Sequence, residues 1–386
     1  MRTPRAMKVL FAVGVIGLIV LEMALVYLIM PMPGSQRMSS IDAAYLLYSR
    51  RWALRGLFWA LVLAGAWPAW RTPGWRRWLV PASVVIVGGV TYMLNFRMSA
   101  DRMFLQPTAV VMQPASRSKV APARLVVGIE INSDARAYPL QFIGYHHQVR
   151  DKVGGQEVLV TYCTVCRTGR VFTPRVQGRV EKFRLVGMDH FNAMFEDQTT
   201  RSWWRQANGE AIIGPLKGSR LLEVPSRQVT LKEWLELHPQ SLVMQGDPSA
   251  AEEYATDYAF ERGTSRKELT GTDTLSWRDK SWVVGLTVNG RSRAYDWNRF
   301  RRERLINDEV GGIPVVFVLA DDTASFFAFV RPDARTRFSL RHDSLIGGGR
   351  AYGLSGRGPS GAVSPLNASQ EFWHSWRTFQ PATERY

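Results

Sequence analysis

Two cysteines set two residues apart are the part of this sequence best equipped for chemistry. Cys163 and Cys166 are the only cysteines in 386 residues. They stand in Tyr162-Cys163-Thr164-Val165-Cys166, after the strand-like run Val158–Tyr162 and before a turn at Arg167-Thr168-Gly169. A pair at this spacing forms a disulfide, works as a redox dithiol or supplies half of a metal site. Ordinary core packing gives two cysteines no reason to share that spacing.

His146, 17 residues before Cys163, is the first candidate to complete a site. Two thiolates and an imidazole suit Cu(I) or Zn(II). Cys163, Cys166 and His146 are therefore expected as metal ligands, with His190 or Asp189 as the candidate fourth. The polar and aromatic stretch that follows should form a pocket wall through Thr200, Ser202, Trp204, Gln206 and Glu210. A closed four-cysteine zinc site is excluded by count, and c-type haem attachment by Arg167, where a histidine would be needed. A thioredoxin-type helix opening at the first cysteine is disfavoured, because Arg167–Phe172 reads as turn then strand. Arg167 and Arg170 could still lower a thiol pKa. Three functions stay open: a metal site, thiol–disulfide exchange, and a non-catalytic binding or assembly module with a structural disulfide. No catalytic residue is identified, and whether the chain is an enzyme is open.

The elements that carry these residues occur twice. Val126-Val127-Gly128 meets Val283-Val284-Gly285 at an offset of 157, and the same register aligns Arg136-Ala137-Tyr138 with Arg293-Ala294-Tyr295. Asp151 meets Asp308, and Val153-Gly154-Gly155 meets Val310-Gly311-Gly312. One strand-turn-strand unit used twice is expected. Each copy should close with a tryptophan-bearing helix stopped by proline, Leu231–His238 and Phe372–Gln380, capped by Thr230 and Ser369. Cys163 faces Ala320 in this alignment, Cys166 faces Thr323, and His146 faces Glu303. The reactive set thus belongs to the first copy alone, and the scaffold does not need it to fold.

The first hundred residues read as membrane. Spans are expected at about 9–30, 52–70 and 78–96, with tryptophans 52, 67, 70, 75 and 78 near the interfaces. Glu22 is an acid inside a span, which points to function or to a partner such as Arg55. Arg2, Arg5, Lys8, Arg71, Arg76 and Arg77 outweigh Arg37, Arg50 and Arg51, so the N-terminus should be cytoplasmic and the chain after the third span outside the inner membrane. The net charge of +16 is scattered rather than gathered into a basic arm. The bilayer is therefore an expected partner and nucleic acid is not; a protein or small-molecule partner outside the membrane is left unidentified. The expected fold is three N-terminal transmembrane helices plus an α+β, mainly β, extracytoplasmic domain of two similar halves. Its parts are a membrane domain 1–100, a linker 101–122, a first repeat 123–250 and a degenerate repeat 251–386. The stretch 347–364, rich in Gly, Ser and Pro, should be loop.

Several motifs together resemble an uncharacterised, mainly prokaryotic domain-of-unknown-function family. They are Tyr-Cys-x-x-Cys with an upstream His, Asp-x-x-Thr-x-Ser-x-Trp-x-Gln-x-x-Gly-x-Ala, and a terminal Phe-Trp-x-x-Trp-x-x-Phe-x-Pro-x-Thr. The pattern falls on His146, Asp151, Cys163, Cys166, Asp197, Thr200, Ser202, Trp204, Gln206, Gly209 and Ala211. It continues on Phe372, Trp373, Trp376, Phe379, Pro381 and Thr383. The sequence departs from it at Thr164, where proline is usual, at His147, where glutamate is usual, and at Arg150, where asparagine is usual. The resemblance covers roughly residues 120–386 and implies no activity.

Overall fold

The computed structural model describes residues 4–359 and 361–386, which fall into two compact units. The first comprises residues up to Phe104 together with Phe183–Trp204 and Ala211–Gly218. Three of its helical segments are long and apolar enough to cross a membrane: Arg5–Tyr27, Ile41–Trp70 and Gly74–Arg97. The second helix starts eleven residues before the expected span, because Ile41–Arg51 continues the same helix past the apolar stretch. Glycines bring the first two helices close. A Cβ on Gly65 would lie 2.4 Å from Met7 O, and one on Gly17 would lie 2.3 Å from the Phe58 ring.

Glu22 has the partner its cost requires. Arg55 Nε and Nη2 donate to its two carboxylate oxygens at 2.7 and 2.8 Å. Asn95 on the third helix donates to Glu22 at 2.6 Å and accepts from Arg55 at 2.6 Å. One polar group from each helix thus closes a triad in which Glu22 and Arg55 are buried and Asn95 half-buried. Onto this unit folds a four-stranded sheet, in the order Ala211–Ile213, Trp203–Arg205, Asn192–Asp197, Phe183–Asp189. Gly187 lies against Ile29, whose carbonyl accepts from Met188 N at 2.7 Å. The Trp203 ring packs edge-on to Tyr45 and Tyr48 at 5.1 and 5.3 Å.

The second unit is mainly β. The strands Leu125–Ile131 and Asp134–Pro139, the helix Leu140–His146, and the strands Gln148–Val153 and Gln156–Cys163 follow one another. The same succession recurs as Trp282–Val288, Arg291–Asp296, Trp297–Glu303, Leu305–Val310 and Ile313–Leu319. Small details recur with it. Tyr138 and Arg136 bind Asp151 as Tyr295 and Arg293 bind Asp308. His147 and Arg304 end the short helices with φ of 62° and 59°. Trp234 covers Gly128, and Trp376 covers Gly285. The helices carrying these tryptophans are Leu231–Leu237 and Trp373–Phe379.

Three local expectations need correction. Residues 106–122 are not a bare tether: Met112–Pro114 pairs with Leu242–Met244, and Thr108 N and Oγ1 both donate to Asp247. The stretch after Gly347 is partly strand, since Gly348 and Gly349 take positive φ and turn Ser344–Gly347 back into Arg350–Tyr352. Thr230 does cap its helix by accepting from Glu233 N, but Ser369 lies in the strand Ser369–Phe372 and caps nothing.

Candidate functional site: the cysteine turn

Cys163 ends one strand of a hairpin and pairs with Thr168 at the start of the next, Thr168–Thr173. Thr164–Arg167 form the turn, so Cys163 and Cys166 stand at opposite ends of three tightly turned peptide units. Both are buried and neither is in a disulfide. Arg167 closes the turn with φ of 56°, which a side chain tolerates only when held elsewhere. Its buried guanidinium is so held. It donates to Gln370 Oε1 at 2.8 Å, Phe260 O at 2.9 Å and Glu261 O at 3.2 Å, and lies 3.6 Å from the centre of the Trp282 ring.

The turn is gripped by residues far along the chain. Val165 O accepts from Lys280 Nζ at 2.8 Å and from His374 Nε2 at 3.1 Å, so this imidazole nitrogen carries a proton. Cys166 O accepts from Phe372 N at 2.9 Å. Lys280 Nζ lies 3.4 Å from His374 Nε2 and also donates to Leu269 O. Burial pulls the Lys280 pKa down, and its electrostatic interaction with Cys166 and Cys163 opposes that pull. Burial, aided by the Lys280 charge, pushes the His374 pKa down to about 4, so its imidazole is neutral near pH 7.

A second layer holds the strand after the turn. The buried Glu371 carboxylate accepts from Arg170 Nη2 at 2.7 Å, Thr168 Oγ1 at 3.1 Å and Ser375 Oγ at 2.9 Å. Gln206 Nε2 donates to Thr161 Oγ1 and to Thr168 O, both at 3.0 Å. The Tyr162 hydroxyl, next to Cys163, is buried and finds no hydrogen-bond partner among the described residues. The family-like terminal motif, expected to be core anchors, therefore also brackets the cysteine turn through Phe372 and His374.

The other expected site residues lie elsewhere. His146 turns away to the chain entering the domain: its Nδ1 meets Leu105 O at 2.5 Å and its Nε2 meets Tyr254 OH at 2.7 Å. His190 Nδ1 pairs with Asp189 Oδ1 at 2.6 Å, and both residues belong to the membrane-helix unit. Among the described residues no group of three or more His, Cys, Asp or Glu side chains could hold a metal ion, so Cys163, Cys166 and His146 do not converge as ligands. Of the expected pocket wall only Gln206 reaches the cysteine hairpin. Glu210 faces Arg205 and Arg220. Thr200, Ser202 and Trp204 surround Asp197, whose carboxylate accepts from Thr200 Oγ1, Ser202 N and Trp204 Nε1 at 2.8, 3.1 and 2.9 Å. That cluster is a buried turn brace in the other unit.

Sequence reasoning missed Lys280, His374 and Glu371. Lys280 carries no local signature. His374 and Glu371 sit within and beside the terminal Phe-Trp-x-x-Trp motif, which was their only signal. No curated protein and no solved structure matches the chain. The chain belongs to the family described as Protein of unknown function (DUF3179), whose model matches residues 106–383.

Proposed function

We propose that this is a membrane-anchored protein whose extracytoplasmic domain carries a reversible dithiol–disulfide centre at Cys163 and Cys166. The observation that carries the reading is Lys280 beside the turn that joins the two sulfurs. An ammonium next to a thiol favours the thiolate, the form that attacks a disulfide. The two cysteines stand only two residues apart at a tight turn, a spacing at which a disulfide can close. In the cycle, one thiolate attacks a partner disulfide and releases a thiolate from it. The second cysteine then loses its proton and attacks the mixed disulfide. One Cys163–Cys166 bond forms, and the partner leaves reduced to two thiols.

The test uses the full chain in detergent. Alkylation of the reduced protein should follow one thiol of depressed pKa, and Lys280→Met should move that pH profile up by about one unit. Oxidation with glutathione disulfide should remove two thiols per chain and reduction restore them. An unchanged alkylation profile in Lys280→Met, or no disulfide under any glutathione ratio, overturns the reading. A second reading is Cu(I) held by the two thiolates alone, favoured by the same Lys280 charge, which would offset the negative bis-thiolate complex. Zn(II) has less support, since it needs further ligands. The compartment is tested by a periplasm-dependent reporter fused after Tyr386, which should be active.

A further inference from the structure

A cavity of about 710 Å³ opens in the membrane-helix unit, bounded by the C-terminal ends of the first and third spans and the N-terminal half of the second. Its lining is divided. One part is apolar and includes Leu25, Ile29, Trp52, Trp59, Leu94 and Phe96. Trp52 and Phe96 are largely exposed, as expected of groups that face acyl chains. The other part is charged, with Arg51, Arg55, Arg102 and Arg184 against the single carboxylate of Asp101.

The four arginines are not equivalent. Arg55 is spent on Glu22 and Asn95. Arg184 pairs with Asp101 at 3.2 Å and with Glu196 at 2.9 Å. Arg51 lies 3.8 Å from the centre of the Tyr48 ring and donates to Tyr48 O. Neither Arg51 nor Arg102 is ion-paired with a carboxylate among the described residues, yet both line the cavity. A partly apolar chamber at the end of three spans, with two guanidinium groups on its wall that pair with no carboxylate among the described residues, is complementary to an amphiphile with an anionic head. Guanidinium binds phosphate oxygens in bidentate fashion, and the bilayer supplies phosphates already joined to acyl chains.

We propose that this cavity binds one anionic phospholipid, its phosphate on Arg51 and Arg102 and an acyl chain along Trp52, Trp59 and Leu94. The Glu22–Arg55–Asn95 triad forms a polar floor and does not pair with the lipid. The site is independent of the cysteine turn.

The full chain, delipidated in detergent, would be titrated with phosphatidylglycerol, phosphatidylcholine and inorganic phosphate, and bound lipid counted by native mass spectrometry. One phosphatidylglycerol should be retained about tenfold more tightly than phosphatidylcholine, and Arg51→Gln/Arg102→Gln should remove that preference. Equal retention of the two lipids, or an unchanged preference in the double variant, overturns the proposal. Displacement of phosphatidylglycerol by millimolar phosphate would identify a soluble-anion site and overturn it as well. If the double variant does not fold, Leu94→Trp tests the apolar half: retention should fall about tenfold, and full retention overturns the proposal.

Discussion

Gly128 offers a sharp test of how the tryptophan helices close the domain. A Cβ at Gly128 would lie 2.3 Å from Trp234 Cε3 and 2.4 Å from Cζ3. Carbon atoms pack at about 3.5–4.0 Å, so one of the two residues must give by about 1.2 Å or more. The indole cannot swing aside. Its Nε1 donates to Ser241 Oγ at 2.7 Å, and the His238 ring packs against it at a tilt of 34° with centroids 4.1 Å apart. Over-packing of a fixed site costs about 3 kcal/mol at its upper end. Replacing a strand glycine by alanine returns about 0.5–1 kcal/mol of backbone entropy. Gly128→Ala should therefore destabilise by about 2 kcal/mol, a fall of about 4–8 °C in Tm for a domain of this size. Thermal unfolding of the full chain in detergent, followed by tryptophan fluorescence, would measure it. Trp234→Leu supplies the control: in that background Gly128→Ala should cost less than about 0.5 kcal/mol. An equal cost in both backgrounds would refute the steric argument. Gly285→Ala should behave the same way against Trp376, whose Cε3 and Cζ3 would lie 2.2 Å away.

His374 should make the domain acid-sensitive. Its pKa is pushed from 6.5 down to about 4, so its contribution is complete above pH 6.5 and lost as pH falls through that window to 4. The loss is about 3 kcal/mol, and His374→Gln should flatten the urea-midpoint profile between these pH values by that amount. Arg55→Met should destabilise the helix unit by about 3–5 kcal/mol, read as reduced folded yield in detergent, because the buried Glu22 carboxyl loses its partner; Arg55→Met/Glu22→Met should recover most of the loss. His146→Ala should leave the alkylation profile of the cysteines unmoved, whereas it would shift if His146 reached the sulfurs.

The parts of the molecule set by local pattern were legible in the sequence. The three spans follow from apolar length, whereas the turn expected at Arg167-Thr168-Gly169 lies earlier, at Thr164–Arg167, and Thr168 and Gly169 already belong to the next strand. The recurrence at an offset of 157 located Gly128, Gly154, Asp151 and their counterparts before any coordinates. The site was harder, because proximity along the chain says nothing about which way a side chain points. His146 ends a helix whose successor, His147, takes positive φ, and its ring is directed to Leu105 and Tyr254 rather than to the cysteines. Lys280 and His374 reach Val165 from 115 and 209 residues away, a tertiary fact without a local trace. Thr200, Ser202 and Trp204 read as pocket wall because buried turn braces and binding sites draw on the same polar and aromatic residue types.

The chain passes between the two units at residues 104/105, 182/183, 204/205, 210/211 and 218/219, so anchor and domain are woven rather than joined end to end. A fragment begun at Leu105 would keep the strands Phe183–Asp189 and Trp203–Arg205 but strip them of Ile29, Tyr45 and Tyr48. Gly187 and Trp203 would lose their covering, and Met188 N its acceptor. The family match begins at residue 106 and contains that surface. A stretch of this chain holding only the matched residues would therefore leave that surface uncovered. The helices, long and apolar enough to cross a membrane, thus also cover a sheet made from residues inside the family match.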